Sequence, residues 1–333
     1  MPETMIEAHG LTKSYGKPSD PVRVLDGLGL QVPRGEVFAL LGPNGAGKTT
    51  TVRILATLTT ADSGTARVAG FDVVADRHRV RRAISLTGQF AAVDATQTGE
   101  ENLRMTARLT GLSRSHAKHR AAELLERFGL TEAARRQVRT YSGGMRRRLD
   151  LAAGLVGSPE PGVFFLDEPT TGLDPRSRRE LWQVVRDLAD GGATVLLTTQ
   201  YLEEADRLAD HIAVLNGGRA VAEGSPEALK ARFPGHRLDL VLTGREAYLR
   251  LAARAVHHSP GTLTLGLPTD GTAAHARALL DEIDPHRTDV ERFSVHSASL
   301  DDVFLALTGE TAKEAAGETT GETTEPTEEP THV

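Results

Sequence analysis

The sequence predicts an α/β fold in which buried parallel strands alternate with helices. An apolar run at 37–41 leads into a glycine-rich loop and a helix-compatible segment at 50–58, and a second apolar run at 163–166 ends in two acids. Short continuous apolar runs are typical of strands buried on both faces of a sheet. Further strand-like segments begin at 194 and 211 and alternate with helical segments that begin near 175 and 201. This alternation predicts a sheet with helices packed on it.

The glycine-rich loop is a complete G-x-x-x-x-G-K-[ST] motif. With the residue after it, the loop consists of Gly42, Pro43, Asn44, Gly45, Ala46, Gly47, Lys48, Thr49 and Thr50. Glycines let backbone N–H groups close around phosphate oxygens, the helix N-terminus adds partial positive charge, and the lysine supplies a full charge. We therefore expect the loop to bind a nucleoside triphosphate, with Thr49 as the Mg²⁺ ligand.

A second glycine-rich helix start follows about a hundred residues later, at Tyr141-Ser142-Gly143-Gly144-Met145. Ser142 is suited to cap the helix, and the N–H groups of Gly143 and Gly144 form another seat for an anion. One nucleotide does not need two such seats in one chain.

With this second motif the chain resembles the ABC ATPase family, whose signature motif is a variant of L-S-G-G-Q. The resemblance implies ATP and Mg²⁺ as cofactors. It also implies that Ser142, Gly143 and Gly144 of one protomer cover the γ-phosphate held by the phosphate loop of another. The expected working unit is therefore a head-to-tail homodimer.

The second apolar run ends in Asp167 and Glu168, as expected for a buried parallel strand that delivers carboxylates at its carboxyl end. Asp167 matches the acid that holds Mg²⁺, and Glu168 matches the base that orients the attacking water. Adjacent residues of a strand point to opposite faces, so we expect the two acids to have different functions.

Three further positions take their roles from the resemblance alone. Asp174, in Thr171-Gly172-Leu173-Asp174, matches the loop that reaches across the dimer. Gln89 lies where the family places a glutamine that contacts Mg²⁺ or the catalytic water and senses the membrane partner. Tyr15 matches the aromatic residue that stacks on adenine.

One position departs from the common family pattern. Most relatives carry a histidine γ-phosphate switch after the strand at 194–199, whereas this chain has Gln200. Glutamine donates or accepts hydrogen bonds but cannot carry the positive charge of imidazolium. Gln200, together with Met145 in the signature, makes the chain similar to the drug-resistance branch that includes the daunorubicin/doxorubicin-resistance ATP-binding proteins.

The pattern of the chain predicts three regions. An ATP-binding domain spans 5–233, beginning with short strands at 5–33 and containing a helical subdomain at about 96–157. A small α/β domain of the βαβαβα kind spans 236–309 and closes with a helix capped by Ser299, similar to the end of the drug-exporter subunits. Residues 310–333, rich in Glu, Thr, Gly and Pro, are expected to be a disordered acidic tail.

The composition limits the kinds of site and of binding partner that the chain can have. The 333 residues contain no cysteine, which removes disulfides and thiolate metal sites from consideration. The formal net charge of −6 gives no support for nucleic-acid binding. No apolar stretch approaches the roughly 20 residues that cross a bilayer. We therefore expect a peripheral ATPase subunit at the cytoplasmic face of the membrane, working with a separate integral membrane permease.

Two alternatives to an exporter subunit stay open from sequence. Soluble ABC ATPases act on ribosomes or DNA, but those usually carry tandem cassettes or long coiled coils, and this chain shows one cassette and no sustained heptads. An importer ATPase would share every catalytic motif. Only Gln200 and the stretch from Leu300 to Gly309 favour export.

Overall fold

The computed structural model of the protein describes residues 3–17, 19–88, 92–157, 162–232, 236–296 and 299–308. Gln89 and the tail at 310–333 lie outside these ranges. In chain order the strands are β1 (Thr4–Lys17), β2 (Asp20–Pro33), β3 (Val37–Leu41), β4 (Ser63–Val68), β5 (Phe71–Asp72), β6 (Ile84–Thr87), β7 (Val163–Asp167), β8 (Thr194–Thr199), β9 (His211–Asn216), β10 (Arg219–Gly224), β11 (Arg237–Leu242), β12 (His257–Ser259), β13 (Thr264–Pro268) and β14 (Val290–His296). The α-helices are α1 (Lys48–Leu55), α2 (Arg77–Ala83), α3 (Gly99–Leu109), α4 (Arg114–Arg127), α5 (Gly143–Gly154), α6 (Pro175–Asp190), α7 (Leu202–Leu208), α8 (Pro226–Ala231), α9 (Arg245–Leu251), α10 (Ala273–Ile283) and α11 (Leu300–Thr308).

The central sheet has the strand order β10-β9-β3-β8-β7-β6, and it is parallel except at the β10 edge. Every residue of β3, β7 and β8 is buried, as their continuous apolar sequences predict. Side chains alternate between the two faces of the sheet, so β3, β7 and β8 each contribute to two hydrophobic clusters. This order places the carboxyl ends of β3, β8 and β7 side by side. The predicted α/β fold is confirmed.

An antiparallel sheet of order β2-β1-β4-β5 covers one face of the central sheet. Residues 5–33, predicted as short strands, instead form one long hairpin of two 14-residue strands. The register between β1 and β2 shifts at several points. Such bulges interrupt the alternation of apolar and polar residues, so an uninterrupted strand was not visible in the sequence.

The helical subdomain contains α3, α4 and α5. Thr98 caps α3 through a capping box with Glu101, and Ser113 caps α4 by accepting a hydrogen bond from the His116 amide. Both helices pack their apolar faces into the larger of the hydrophobic clusters, which they share with α5 and the central sheet. The signature helix is thus joined to the strands through one continuous core.

The C-terminal region forms a third sheet of order β12-β13-β11-β14, antiparallel throughout, with its own small hydrophobic cluster. The structure adds β12 to the predicted order of elements. This strand has three partly or fully exposed residues, so no apolar pattern marks it. Ser299 caps α11, as predicted, by accepting a hydrogen bond from the Asp302 amide.

The last helix packs on the ATP-binding region, and its Asp302 pairs with Arg237 and His296 of the third sheet. Leu300 and Val303 of α11 are buried in the same hydrophobic cluster as α6 and α7 of the ATP-binding region. Helix α11 contacts α7 and α8. The end of the described chain therefore attaches the C-terminal sheet to the central domain.

Candidate functional site

The phosphate loop connects β3 to α1 and has the backbone that its glycines predict. Gly47 is the N-cap of α1 and has a left-handed backbone, with φ of 104°. A Cβ at this position would lie 2.6 Å from Cδ2 of Leu25, and a Cβ on Gly42 would lie 2.4 Å from the carbonyl oxygen of Leu215. Neither position accommodates a side chain without displacing its neighbours. The loop thus brings backbone amides to the helix N-terminus, as phosphate binding requires.

Lys48 is buried at the start of α1, with 4% of its surface exposed. Its Nζ donates hydrogen bonds to the carbonyl oxygens of Gly42 and Pro43, at 2.8 and 3.0 Å, and lies 3.7 Å from Oε1 of Glu168. Burial lowers the pKa of Lys48, and the nearby carboxylates of Glu168 and Asp167 oppose that shift. The ammonium group therefore lies inside the phosphate loop.

Asp167 ends β7 and has two hydroxyl donors on its Oδ1 atom. Thr49 Oγ1 donates to it over 3.1 Å, and Thr198 Oγ1 donates over 2.7 Å. Hydroxyl and carboxylate oxygens are the ligands that Mg²⁺ prefers in proteins. The predicted metal ligands Thr49 and Asp167 therefore lie next to each other, and their chemistry fits the ion.

Glu168 lies just beyond β7 and not within it. Its backbone is left-handed, with φ of 47°, and its amide donates to the carbonyl and hydroxyl oxygens of Thr198 at 3.2 and 3.0 Å. The two acids do point to different groups, as predicted. However, the reason is the turn of the chain after the strand and not simple alternation along it, since Asp167 contacts the two threonines while Glu168 faces Lys48.

Gln200 follows β8, the strand between β3 and β7. The amide of Gly42 donates to the carbonyl oxygen of Thr199, which places the residue before Gln200 at the start of the phosphate loop. The Gln200 side chain is exposed. Tyr15 is also exposed, at 42%, and lies on β1 opposite Val22 of β2. Since β2 contacts the phosphate loop at Gly47, Tyr15 is one strand away from it.

The signature residues begin α5. Ser142 is the N-cap, as predicted, and its hydroxyl accepts from the Met145 amide at 3.2 Å. Ser142 and Gly143 are exposed, whereas Gly144 is buried against Ser177 of α6. Within one chain, the N-terminus of α5 is therefore open to solvent.

Asp174 has a local function in the structure. It caps α6 by accepting from the amides of Arg176 and Ser177, both at 3.0 Å, and from the Ser177 hydroxyl at 2.6 Å. The hydrogen bonds from the Ser177 hydroxyl and amide hold the pKa of Asp174 below its usual value. The predicted contact across a dimer stays a prediction.

Sequence reasoning missed three buried residues beside the site. Thr198 bonds both acids and could have been noticed as a polar residue at the end of an apolar strand. Arg147 lies in a run of three arginines that looks like a solvated surface, yet only 6% of it is exposed. Glu204 is fully buried on α7 and accepts from Trp182 Nε1 at 3.0 Å. Its charge gave no sign of burial in the sequence.

Two family descriptions match the chain. The family described as ABC transporter matches residues 25–171. The family described as ATP-binding protein DrrA1-3-like, C-terminal domain, matches residues 224–308.

Curated relatives match over nearly the whole chain. The daunorubicin/doxorubicin resistance ATP-binding protein of Streptomyces peucetius is 50% identical, covering 94% of this chain and 95% of the relative. The linearmycin resistance ATP-binding protein of Bacillus subtilis is 36% identical, covering 93% of this chain and all of the relative. A solved structure described as the ATP binding subunit of an ABC transporter is 29% identical with a TM-score of 0.58, covering 69% of this chain and 93% of the other.

Proposed function

This chain belongs to the family of ABC transporter ATP-binding proteins, and on that premise we propose that it powers the export of a hydrophobic drug or antibiotic through a separate membrane permease. Membership in the family makes the chain an ATPase. The proposed roles of its residues rest on one observation. Two pairs of residues, Lys48 with Glu168 and Thr49 with Asp167, lie close together at one edge of the sheet. Lys48 lies 3.7 Å from Glu168, and Thr49 lies 3.1 Å from Asp167.

ATP is held by the loop from Gly42 to Thr50, with Tyr15 stacking on the adenine ring. The ammonium of Lys48 balances the charge of the β- and γ-phosphates, and its burial strengthens that interaction because water does not screen it. Thr49, Asp167 and Gln89 would hold Mg²⁺, which when bound neutralises phosphate charge. Gln89 lies outside the described residues, so its role rests on the family resemblance.

Glu168 orients the attacking water and accepts its proton. The water oxygen bonds to the γ-phosphorus as the bond to the ADP oxygen breaks, giving ADP and inorganic phosphate. The position of Glu168 suits this role because its carboxylate faces the phosphate-binding lysine while its neighbour Asp167 faces the metal-ligand hydroxyl. Gln200 follows β8, the strand between β3 and β7, and its side chain would hydrogen-bond the γ-phosphate or the attacking water.

Two copies of the chain form the working unit. The exposed N-terminus of α5, with Ser142 and Gly143, is the end of a helix that binds anions. In the dimer these residues cover the γ-phosphate bound by the partner, and Asp174 approaches the same interface.

The direction of transport follows from the relatives. Proteins named for resistance to daunorubicin, doxorubicin and linearmycin match this chain over more than nine-tenths of its length, which favours export over import and over action on ribosomes or DNA. In the part of the chain that the structure describes, no helix has both the length and the apolarity to cross a bilayer. The proposed partner is an integral permease, with this chain at the cytoplasmic face of the membrane.

The first experiment tests the hydrolytic site. Glu168→Gln should keep ATP affinity, abolish turnover and accumulate an ATP-bound dimer, whereas Lys48→Ala should weaken nucleotide binding itself. ATP hydrolysis and binding of a fluorescent ATP analogue are measured for both variants and for Glu180→Gln as a matched control, since Glu180 pairs with Arg148 and Arg176 and not with Lys48. Near-normal hydrolysis by Glu168→Gln would refute the assignment of the base.

The second experiment tests export. The chain is purified from membranes with its associated integral protein, and ATPase rates are measured with a panel of hydrophobic antibiotics and with polar nutrients. Stimulation by the antibiotics, lost in Glu168→Gln, supports the proposal. Stimulation by nutrients alone, or the absence of any integral partner, contradicts it.

A further inference from the structure

Arg147 makes an unusual set of contacts for a residue in a run of arginines. It is buried on α5, one turn beyond the signature residues. Its Nε donates to the carbonyl oxygen of Pro169 at 3.0 Å, and its Nη2 donates to the carbonyl oxygen of Asp167 at 3.3 Å. The carbonyls on both sides of Glu168 therefore accept hydrogen bonds from one guanidinium group.

These two carbonyls lie on either side of Glu168, whose backbone has an unfavourable conformation. Glu168 has a φ of 47°, in the left-handed region that residues with a Cβ rarely adopt. Such conformations persist only where the surroundings over-determine them, and they cluster at functional sites. Thr198 accepts the Glu168 amide from β8, and Arg147 on α5 donates to the carbonyl oxygens of Asp167 and Pro169, the residues on either side.

The surroundings of Arg147 strengthen the hydrogen bonds that it donates. A planar guanidinium has five donors in a fixed geometry, and hydrogen bonds in a buried site are stronger than those in water. Asp150, one turn along α5, places Oδ2 3.7 Å from Nη1 of Arg147 and balances its charge. Nη1 also donates to the carbonyl oxygen of Gly88, at the end of β6. The guanidinium group therefore has partners next to Glu168, after β6 and on its own helix.

We propose that Arg147 is a positioning residue that locks the left-handed backbone of Glu168 and thereby aims its carboxylate at the reacting phosphate. The inference rests on the proposed role of Glu168 as the base. Ser142 caps the helix that carries Arg147, so the support of the Glu168 backbone comes from the signature helix of the same chain.

The test uses the full-length chain and a double-mutant cycle. Arg147→Met should lower kcat by about 100-fold, since a displacement near 1 Å of a catalytic group has that effect. Affinity for a fluorescent ATP analogue should change by less than about 3-fold, because the interaction lost acts in the transition state. Combining Arg147→Met with Glu168→Gln should leave the residual rate of Glu168→Gln unchanged, since residues that act through one another are not additive.

Arg148→Met is the matched control. Arg148 lies on the same helix, but it donates to the Phe128 carbonyl and pairs with Glu180, so it touches neither side of Glu168. This variant should keep normal kcat. Arg147→Lys serves if the methionine variant does not fold, and it should also be slow because lysine has a single donor nitrogen in place of the separate Nε and Nη2 that bond the two carbonyls. Folding is followed by the fluorescence of Trp182, the single tryptophan.

The outcomes separate the two claims. Normal kcat in either Arg147 variant, with Glu168→Gln inactive, overturns the role of Arg147 and leaves the proposed function intact. A further loss of rate in the double variant also overturns it, because Arg147 would then act elsewhere. Active Glu168→Gln removes the base itself and with it the premise. Slow Arg147 variants with normal affinity and no added loss in the double variant support the proposal.

Discussion

The hydroxyl group of Thr198 donates a hydrogen bond to Oδ1 of Asp167 on the neighbouring strand, at 2.7 Å. The same hydroxyl oxygen accepts the amide of Glu168 at 3.0 Å. One buried side chain therefore fixes both Asp167, the proposed metal-binding acid, and the start of the turn that carries Glu168, the proposed base. Since Thr198 is fully buried, neither bond competes with water.

Thr198→Val should impair catalysis without abolishing it. The change keeps the shape of the side chain and removes both bonds, so we expect kcat to fall about 10-fold and the Mg²⁺ dependence to shift to higher concentration. Thr194→Val is the control, because Thr194 lies on the same strand, is equally buried and its hydroxyl accepts the Gly35 amide instead of bonding either acid. ATPase assays across Mg²⁺ concentrations compare the two, and equal effects would contradict the prediction.

Two defective chains should restore one working site when mixed. Lys48→Ala disables the phosphate loop and Ser142→Ala disables the signature, so a heterodimer of the two retains one intact pair. Activity should pass a maximum near equal ratios, measured after mixed dimers are confirmed by differential tagging. A rate that only varies linearly between those of the two single variants, with no complementation at any ratio, would show that each chain hydrolyses ATP alone.

Gln200→His should add pH dependence to hydrolysis. Glutamine is neutral at every physiological pH, whereas a free imidazole has a pKa of about 6.5. We expect an inflection in kcat between pH 6 and 8 in the histidine variant and a flatter profile in the parent, with ATP affinity nearly unchanged. Gln200→Ala is the companion variant. If it hydrolyses ATP as fast as the parent, the side chain has no switch role.

Glu204→Gln should stabilise the fold, increasingly as pH rises. Burial raises the pKa of Glu204, although hydrogen bonds from Thr199 and Trp182 oppose the shift. A raised pKa in the folded state means that stability is lost as pH rises above the unfolded value of about 4.3. Glutamine keeps an acceptor for Trp182 and removes that loss.

The gain in melting temperature should therefore be larger at pH 8 than at pH 5, as reported by Trp182 fluorescence. Glu203→Gln is the control, since Glu203 is exposed beside Arg207. A gain that does not depend on pH would contradict the assignment.

Val303→Ala should loosen the attachment of the C-terminal sheet. Val303 is buried in the cluster of the central domain, so the change should destabilise the fold by about 1–2 kcal/mol through lost contacts and a cavity. Leu305→Ala, on a more exposed face of the same helix, should cost less. Denaturant titrations followed by Trp182, which lies in the same cluster, compare the two.

The sequence by itself determined the fold class, the phosphate loop, the signature cap and the acids, because each depends on residues close together in the chain. Apolar runs specify buried strands, glycines specify the left-handed turn at Gly47, and Ser142 caps its own helix. Local patterns also located most helices of the C-terminal region. They failed for β12, which has too few buried residues to leave a pattern.

Only the tertiary structure decided how distant residues meet. Thr198 lies 30 residues from Glu168 and Arg147 lies 20 residues from Asp167, so their hydrogen bonds arise from strand order and helix packing, which no local pattern encodes. The same cause explains why three successive arginines have different surroundings, since burial is set by what packs against a helix face. The left-handed turn at Glu168 belongs here too, because a glutamate adopts it only where neighbouring elements hold its backbone.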